Sequence, residues 1–170
     1  MFDGAGQGLK LIVSQIEDKR RRNQFLSYEE AYKLGCTVRS TYYKTSKIEP
    51  LGRVVIHRSG PFMREEIAGF KAAFEGIGDL NLFEITGSCD FNAFKFGSTG
   101  ACLGYPLLRG TIVKRSNNSA YVWIDGSIRE RDIIDGRNYR NSGRGMGHPL
   151  KVTKYYGESN LNDAVSELMM

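Results

Sequence analysis

The sequence predicts an α/β fold that is built on one strand–helix–strand unit and continues into a glycine-rich β segment. Residues 53–56 are mostly β-branched and stop before Gly60-Pro61, which is typical of a strand buried on both faces in the middle of a sheet. Residues 63–74 place apolar side chains at helical spacing with charged side chains on the other side, and residues 80–86 form a second apolar run. This order predicts two parallel strands with a right-handed crossover. Functional residues are therefore expected at the carboxyl end of the first strand, residues 57–60.

Composition and charge restrict the class of protein. A chain of 170 residues with 41% hydrophobic and 25% charged residues is long enough for one domain with a core and short for two. No run approaches the roughly 18 apolar residues of a membrane span, and the first residues lack the order of a signal peptide. Three scattered cysteines, Cys36, Cys89 and Cys102, fit neither a disulfide framework nor a zinc site, so we expect buried thiols in a reducing, cytoplasmic setting. The net charge of +5 permits a nucleic-acid partner without requiring one.

The N-terminal residues predict a turn, a strand and a charged loop. Residues 4–8 are rich in glycine but lack the preceding strand that a dinucleotide-binding loop needs, so they predict a hairpin turn. The turn leads into a strand at residues 9–16. Residues 17–23 form a charged loop, whose basic run is expected to be solvated.

A helix follows this loop. Ser27 and Glu30 have the spacing of a capping box, in which each side chain accepts a hydrogen bond from the other residue's backbone. The helix is expected to end near residue 47, with Gly35 as a weak point and Pro50 separating it from the first strand of the central unit.

Glycines and prolines punctuate the chain after the second strand of that unit. Short strands are predicted around residues 93–96 and 107–114. Residues 116–119 predict a turn that joins the latter strand to another at residues 120–124, so the pair is interpreted as a hairpin. Residues 128–147 form a long polar loop rich in Arg and Gly, and loops of that length are usually functional or disordered.

The chain finishes with a strand and a helix. Residues 149–157 predict the strand, and Asn160 can cap the helix. The apolar positions of that helix are Leu161, Val165, Leu168 and Met169. They are still in phase at the last residue, so we expect a truncated helix.

Three segments resemble the PIWI domain of Argonaute proteins. Residues 53–60 are similar to the PIWI strand that ends in Arg-Asp-Gly. Residues 106–111, Pro-Leu-Leu-Arg-Gly-Thr, resemble the Pro-Leu-Arg-Gly-Thr segment of prokaryotic Argonautes, particularly the short ones. Residues 145–150 are similar to the Gly-Thr-Pro-Arg-Pro-Leu segment before the final helices. All three follow the order and spacing of that family, so the resemblance extends over nearly the whole chain from about residue 9.

The resemblance implies the C-terminal part of a PIWI domain, most like that of the short, catalytically inactive prokaryotic Argonautes. Residues 1–170 would then form a single domain within a PIWI domain. We expect residues 1–86 to belong to a partial ribonuclease H-like core, a mixed sheet with a βαβ unit. Residues 87–157 would be the glycine-rich β segment, and residues 158–170 the start of the truncated helix.

The same resemblance implies a degenerate nuclease site. PIWI nucleases hold two divalent ions about 4 Å apart with four side chains, mostly carboxylates. Ser59 stands where the family has the Asp of Arg-Asp-Gly, and a neutral hydroxyl does not replace a carboxylate on a hard cation. The first and last ligands would lie outside the chain, and the mobile glutamate of the family would fall near Glu29 or Glu30, which the capping box explains. We therefore expect no metal, no cofactor and no cleavage.

Guide and target nucleic-acid strands are the partners that the resemblance implies, and the short Argonautes act with effectors such as TIR or sirtuin-like domains. No membrane contact is expected. Phosphates need converging cations and backbone N–H groups, and glycines let the backbone approach closely. The glycine-rich second half, and not the basic run at residues 19–22, is therefore expected to bind. The candidate nucleic-acid-binding residues are Lys95, Arg109, Arg140, Arg144, His148 and Lys151.

Two other functions stay open at this point. One is an active, Mg-dependent ribonuclease H-like endonuclease, against which Ser59 argues directly. The other is an unrelated soluble α/β domain with no nucleic-acid role. Serine hydrolase chemistry is not indicated, because the chain has no Gly-x-Ser-x-Gly elbow and no neighbouring acid that would orient His57.

Overall fold

The computed structural model describes residues 12, 25–45, 50–87, 93, 96–101, 107–124 and 148–169. They contain the helices α1 (Tyr28–Thr45), α2 (Arg64–Ala73) and α3 (Leu161–Met169) and the strands β1 (Arg53–Arg58), β2 (Asp79–Gly87), β3 (Ile112–Ser116), β4 (Ser119–Val122) and β5 (Leu150–Tyr156). The strands form one mixed sheet in the order β1-β2-β5-β4-β3, which confirms the predicted fold class. The chain divides into two compact units. The first contains the residues up to 83 together with 155–159, and the second contains 84–154 and 160–169.

The strand–helix–strand unit is present where the sequence predicts it. β1 and β2 are neighbours in the sheet, and α2 joins them. β2 contains a run of four buried residues, Leu80, Asn81, Leu82 and Phe83. β1 differs from the prediction. Its apolar residues 54–56 are only half-buried, because β1 stands at one end of the order of the described strands.

Helix α1 begins with the predicted capping box. The backbone N–H of Ser27 donates to Glu30 Oε2 at 2.7 Å, and the backbone N–H of Glu30 donates to Ser27 Oγ at 3.2 Å. These two bonds satisfy donors that a helix N-terminus otherwise leaves unpaired. The capping prediction is therefore confirmed, and it accounts for Glu30 as a structural residue.

Helices α1 and α2 pack closely through glycines. A Cβ atom at Gly69 would overlap the carbonyl oxygen of Tyr28 and lie 2.9 Å from Ala31 Cβ. A Cβ atom at Gly35 would lie 2.5 Å from Ala73 Cβ. Helix α1 continues through Gly35, where the missing side chain lets α2 approach.

Aromatic side chains fill the core of the first unit. Phe62, Phe70 and Phe74 are buried with Leu80 and Leu82. The rings of Phe62 and Phe70 meet edge to face with centroids 6.4 Å apart, a favoured geometry for aromatic pairs. This cluster joins α2 to the inner residues of β2.

A polar network fixes the segment that follows β5 within the same unit. The carboxylate of Asp79 pairs with Arg53 Nε at 3.0 Å and accepts hydrogen bonds from Asn81 Nδ2 at 2.6 Å and Ser159 Oγ at 3.2 Å. The N–H of Ser159 donates to the buried Asn81 Oδ1 at 3.0 Å. Gly157 has φ of +107° and leaves no room for a Cβ beside Asn81, so only glycine suits this position.

In the second unit, β3, β4 and β5 form an antiparallel sheet. Ile112 pairs with Val122 and Val122 with Leu150, while Ser119 pairs with Thr153. The predicted hairpin between β3 and β4 is confirmed, with a two-residue turn at 117–118. The prediction that strand structure begins at residue 107 is wrong, because Leu108–Thr111 form a turn and β3 starts at Ile112.

Helix α3 begins at the predicted cap. The side chain of Asn160 accepts the backbone N–H groups of Asn162 at 2.8 Å and Asp163 at 3.0 Å. The helix contacts β4, and its residues Leu161, Ala164 and Val165 are buried. No helix among the described residues is long and apolar enough to cross a membrane. The predicted strand at residues 9–16, except Ile12, and the predicted loop at 128–147 lie outside the described residues.

Replacing Gly69 with Ala should lower the free energy of unfolding by about 1–2 kcal/mol. Overpacking costs about 1–3 kcal/mol, and the better helix propensity of Ala returns up to about 1 kcal/mol. Urea unfolding followed by circular dichroism measures the difference. Gly52→Ala is the matched control, because a Cβ there meets nothing within 4 Å. Equal stabilities for the two variants would contradict the close approach of α1 and α2.

Candidate nucleic-acid interface

The carboxyl end of β1 is held together by an ion pair. The guanidinium of Arg58 donates to the carboxylate of Glu66, whose side chain is fully buried. The Arg58 guanidinium carbon also lies 5.2 Å from the ring centroid of Phe25 and 5.8 Å from that of Phe62. Cations over aromatic faces within about 6 Å are attracted by the ring quadrupole. Arg58 is therefore a structural residue, held between two rings and a carboxylate.

The carboxylate of Glu66 satisfies two backbone donors as well. Glu66 Oε1 accepts the N–H of Leu26 at 2.7 Å, and Glu66 Oε2 accepts the N–H of Met63 at 2.8 Å. These bonds tie the residues before α1, the end of β1 and the first turn of α2 to one side chain. The prediction that the charges of α2 all lie on the side away from its apolar face is therefore wrong for Glu66. A buried carboxylate is tolerated here because it is paired and fully hydrogen-bonded.

Ser59 and His57 are exposed at the end of β1. The imidazole of His57 packs edge to face on Phe83, with ring centroids 6.1 Å apart. The carboxylate of Glu66 lies at this segment, and the Arg58 guanidinium and two backbone N–H groups already occupy its oxygens. Among the described residues, no group of three His, Cys, Asp or Glu side chains is placed to hold a metal ion.

Three of the predicted nucleic-acid-binding residues lie toward one end of the antiparallel sheet in the second unit. The register places the turn that contains Arg109 just before β3, and His148 just before β5. Both side chains are exposed. Lys151 is half-buried and pairs across the ladder with Tyr121, one residue from that end. Lys95, Arg140 and Arg144 lie outside the described residues.

Hydrogen bonds fix the backbone around Arg109. The N–H of Gly110 donates to the carbonyl of Trp123 at 2.7 Å, and the N–H of Trp123 donates to the carbonyl of Thr111 at 3.1 Å. The N–H of Thr111 closes the turn on the carbonyl of Leu108 at 3.0 Å. Gly110 has φ of +86°, a conformation that glycine adopts without strain. Arg109 therefore projects from a rigid turn and not from a loose loop.

Charge differs between the two units. The described residues of the first unit carry seven Lys and Arg and seven Asp and Glu, whereas those of the second unit carry five Lys and Arg and three Asp and Glu. Residues 107–124 and 148–154 hold all five of these cations and none of the three carboxylates, which belong to Glu84, Asp163 and Glu167. The five cations are Arg109, Lys114, Arg115, Lys151 and Lys154. Sequence reasoning missed Lys114, Arg115 and Lys154, although the absence of acidic residues around them is visible in the sequence itself.

A cleft of about 480 Å³ lies in the first unit between α1 and the end of α2. Arg39 in its wall donates to the carbonyls of Ala73 and Glu75, both at 3.3 Å, so its charge caps the C-terminus of α2. A side-chain hydrogen bond with Cys36 raises the pKa of Tyr32. Cys36 is half-buried and not fully buried as predicted. Arg39 in the cleft wall therefore connects α1 to the end of α2.

No model of a protein family matches the sequence, and no curated protein matches it either. Solved structures do match. Clostridium butyricum Argonaute, bound to a guide DNA and a 19-mer target DNA, is 21% identical with a TM-score of 0.61, covering 86% of this chain and 17% of that one.

Two further solved structures are similar. Aa-Ago with externally bound siRNA is 26% identical with a TM-score of 0.52, covering 81% of this chain and 16% of that one. Marinitoga piezophila Argonaute in complex with a 5′-OH guide RNA and target DNA is 14% identical with a TM-score of 0.55, covering 86% of this chain and 18% of that one. The chain thus spans less than a fifth of the length of these proteins.

Replacing Glu66 with Ala should lower the free energy of unfolding by about 3–5 kcal/mol, because the change leaves a partly buried guanidinium and two N–H groups without their acceptor. Chemical unfolding measures the loss, and Glu66→Gln, which keeps one acceptor oxygen, should lose less. The control is Glu65→Ala, which removes an exposed carboxylate from the same helical turn. If both Ala variants are destabilised by the same amount, Glu66 does not join these three segments.

Proposed function

Because the chain has a partial ribonuclease H-like fold similar to the PIWI domain of Argonaute proteins, we propose that it binds nucleic acid as part of an Argonaute-like protein. The observation that carries the proposal is the pair of segments 107–124 and 148–154, which hold five cations and no carboxylate side chain. The similar structures bound to guide and target strands support the same function.

The geometry of the Arg109 end suits a phosphate backbone. Arg109 and His148 are exposed on segments that the antiparallel register brings to one end of the sheet, and Lys151 lies one residue further along β5. Neither Arg109 nor Lys151 forms an ion pair with any residue that the structure describes. Their charges are therefore available to phosphates, whose contacts position a strand without reading its sequence.

The proposal includes the absence of cleavage. The two divalent cations of such a nuclease site are held mostly by carboxylates, and the exposed Ser59 offers only a neutral hydroxyl. The carboxylate of Glu66, at the end of β1, already accepts hydrogen bonds from Arg58 and two backbone N–H groups. The chain would then hold a guide and its target in the bacterial or archaeal cytoplasm while a separate effector acts in defence.

Binding should depend on the Arg109 end of the sheet. The double variant R109Q/K151Q should weaken binding of all sequences alike, and it should reduce the slope of log affinity against log salt by about 0.7 for each phosphate of a single strand that is no longer neutralised. Fluorescence anisotropy with labelled oligonucleotides between about 50 and 200 mM salt measures this slope. The matched control is K33Q/K44Q, which removes two exposed charges from α1. Equal effects of the two variants would indicate diffuse attraction and not a localised interface.

No cleavage is expected from the unaltered chain with Mg²⁺ or Mn²⁺, and Ser59→Asp alone should not create any. A two-metal site needs several ligands, and one restored carboxylate does not supply them. Labelled single strands and guide–target duplexes, resolved on denaturing gels, test both statements. Metal-dependent cuts at a fixed distance from the guide end would favour the alternative, an active ribonuclease H-like endonuclease.

A further inference from the structure

The end of the sheet opposite Arg109 carries a second concentration of positive charge. Lys114 and Arg115 lie near the end of β3, and the turn residues Asn117 and Asn118 follow the strand. All five residues from 114 to 118 are exposed, and none is acidic or apolar. Such a run offers an ammonium, a guanidinium and two side-chain amides, all of which can donate to phosphate oxygens.

The register of β3 shifts at Arg115, as it does at a β-bulge. Lys114 pairs with Ala120, whereas Ser116 pairs with Ser119, so Arg115 is an extra residue in β3 without a partner across the ladder. Bulges bend the strand and re-aim the side chain of the extra residue. Neither Lys114 nor Arg115 forms an ion pair with a residue in the described part of the chain. The guanidinium of Arg115 is therefore available for bidentate contact with a phosphate.

One hydrogen bond within the turn and one from β5 hold the hairpin end in place. The N–H of Asn118 donates to Ser116 Oγ at 3.3 Å, and the N–H of Lys154 on β5 donates to the carbonyl of Asn118 at 2.7 Å. The backbone of Lys154 thereby anchors the turn to β5. A turn tied to the neighbouring strand loses little conformational entropy when a ligand binds to it.

We propose that this hairpin end, residues 114–118, is a second contact site for a nucleic-acid backbone. The inference rests on the proposed function and adds a contact that the Arg109 end does not supply. The five residues of β3 separate the two ends by roughly 13–17 Å. Phosphates on one strand of a duplex advance about 3.4 Å per nucleotide, so one strand reaches both ends within about five nucleotides. A polyanion with repeated charges fits this spacing better than a single anion.

The test compares K114Q/R115Q with K33Q/K44Q in the full chain. Anisotropy with a labelled single-stranded oligonucleotide of about ten nucleotides, long enough to span both ends, gives the salt slope. The hairpin variant should bind several-fold more weakly, and its slope should be smaller by about 1.4, which corresponds to two phosphates on a single strand. The control should keep the slope of the unaltered chain. Since all four side chains are exposed, thermal unfolding of both variants should match that of the unaltered chain.

The outcomes separate this inference from the proposed function. If the unaltered chain binds and K114Q/R115Q behaves like K33Q/K44Q, the hairpin contact is wrong while the proposed function stands. If the unaltered chain binds no oligonucleotide, both are wrong. If polyglutamate of equal charge competes as well as the oligonucleotide, the surface takes acidic polypeptides and the inference is overturned. Weaker competition by polyglutamate supports a phosphate-binding site.

Discussion

The buried carboxylate of Glu66 is the constraint on which the first unit depends. An ionised carboxylate away from water is costly by several kcal/mol unless its charge is paired and its oxygens are hydrogen-bonded. Here one guanidinium and two backbone N–H groups meet that requirement, and each donor comes from a different part of the chain. The same side chain therefore fixes the entry to α1, the end of β1 and the start of α2. Because the carboxylate oxygens of Glu66 are already hydrogen-bonded, this side chain stabilises the fold. A metal site at this end of the sheet would need other carboxylates.

The second unit differs from the first in its clustered positive charge. Its antiparallel strands are held by backbone pairing, with one register shift in β3, and by turns bonded to their neighbours. Its cations lie toward the two ends of β3, β4 and β5, and these strands contain no carboxylate. Like charges on a small surface repel one another, which disfavours the compact state unless counter-ions or a polyanion neutralise them. The balanced charges of the first unit show that the excess is not a uniform property of the chain. The residues proposed to bind nucleic acid are thus different from those that stabilise the first unit.

Much of the fold could be predicted from local sequence. The Ser27–Glu30 box, the Asn160 cap and the β3–β4 hairpin each depend on residues a few positions apart, so their patterns are readable without tertiary information. The burial of Glu66 could not be predicted, because its partner Arg58 lies in another element and the helical pattern alone places Glu with the solvent. The placement of β5 between β2 and β4 is equally non-local.

The candidate site could likewise be predicted only in part from the sequence. Arg109, His148 and Lys151 could be named from their segments, but only the register shows that they share one end of the sheet. Arg115 was missed because the register shift that leaves it unpaired depends on the alignment of two strands and is not visible in the sequence of either one. Gly35 and Gly69 were not recognised as packing positions, since a glycine in a helix indicates weakness unless the neighbouring helix is known.

The central claim is that the phosphate backbone of a nucleic acid binds to the second unit. Hydrogen–deuterium exchange of the unaltered chain, with and without a single-stranded oligonucleotide, tests it most directly because it reports on every segment at once. We expect slower exchange in peptides that cover residues 107–118 and 148–154, and unchanged exchange in peptides from α1 and α2. Protection confined to the helices of the first unit, or no protection at any oligonucleotide concentration, would contradict it.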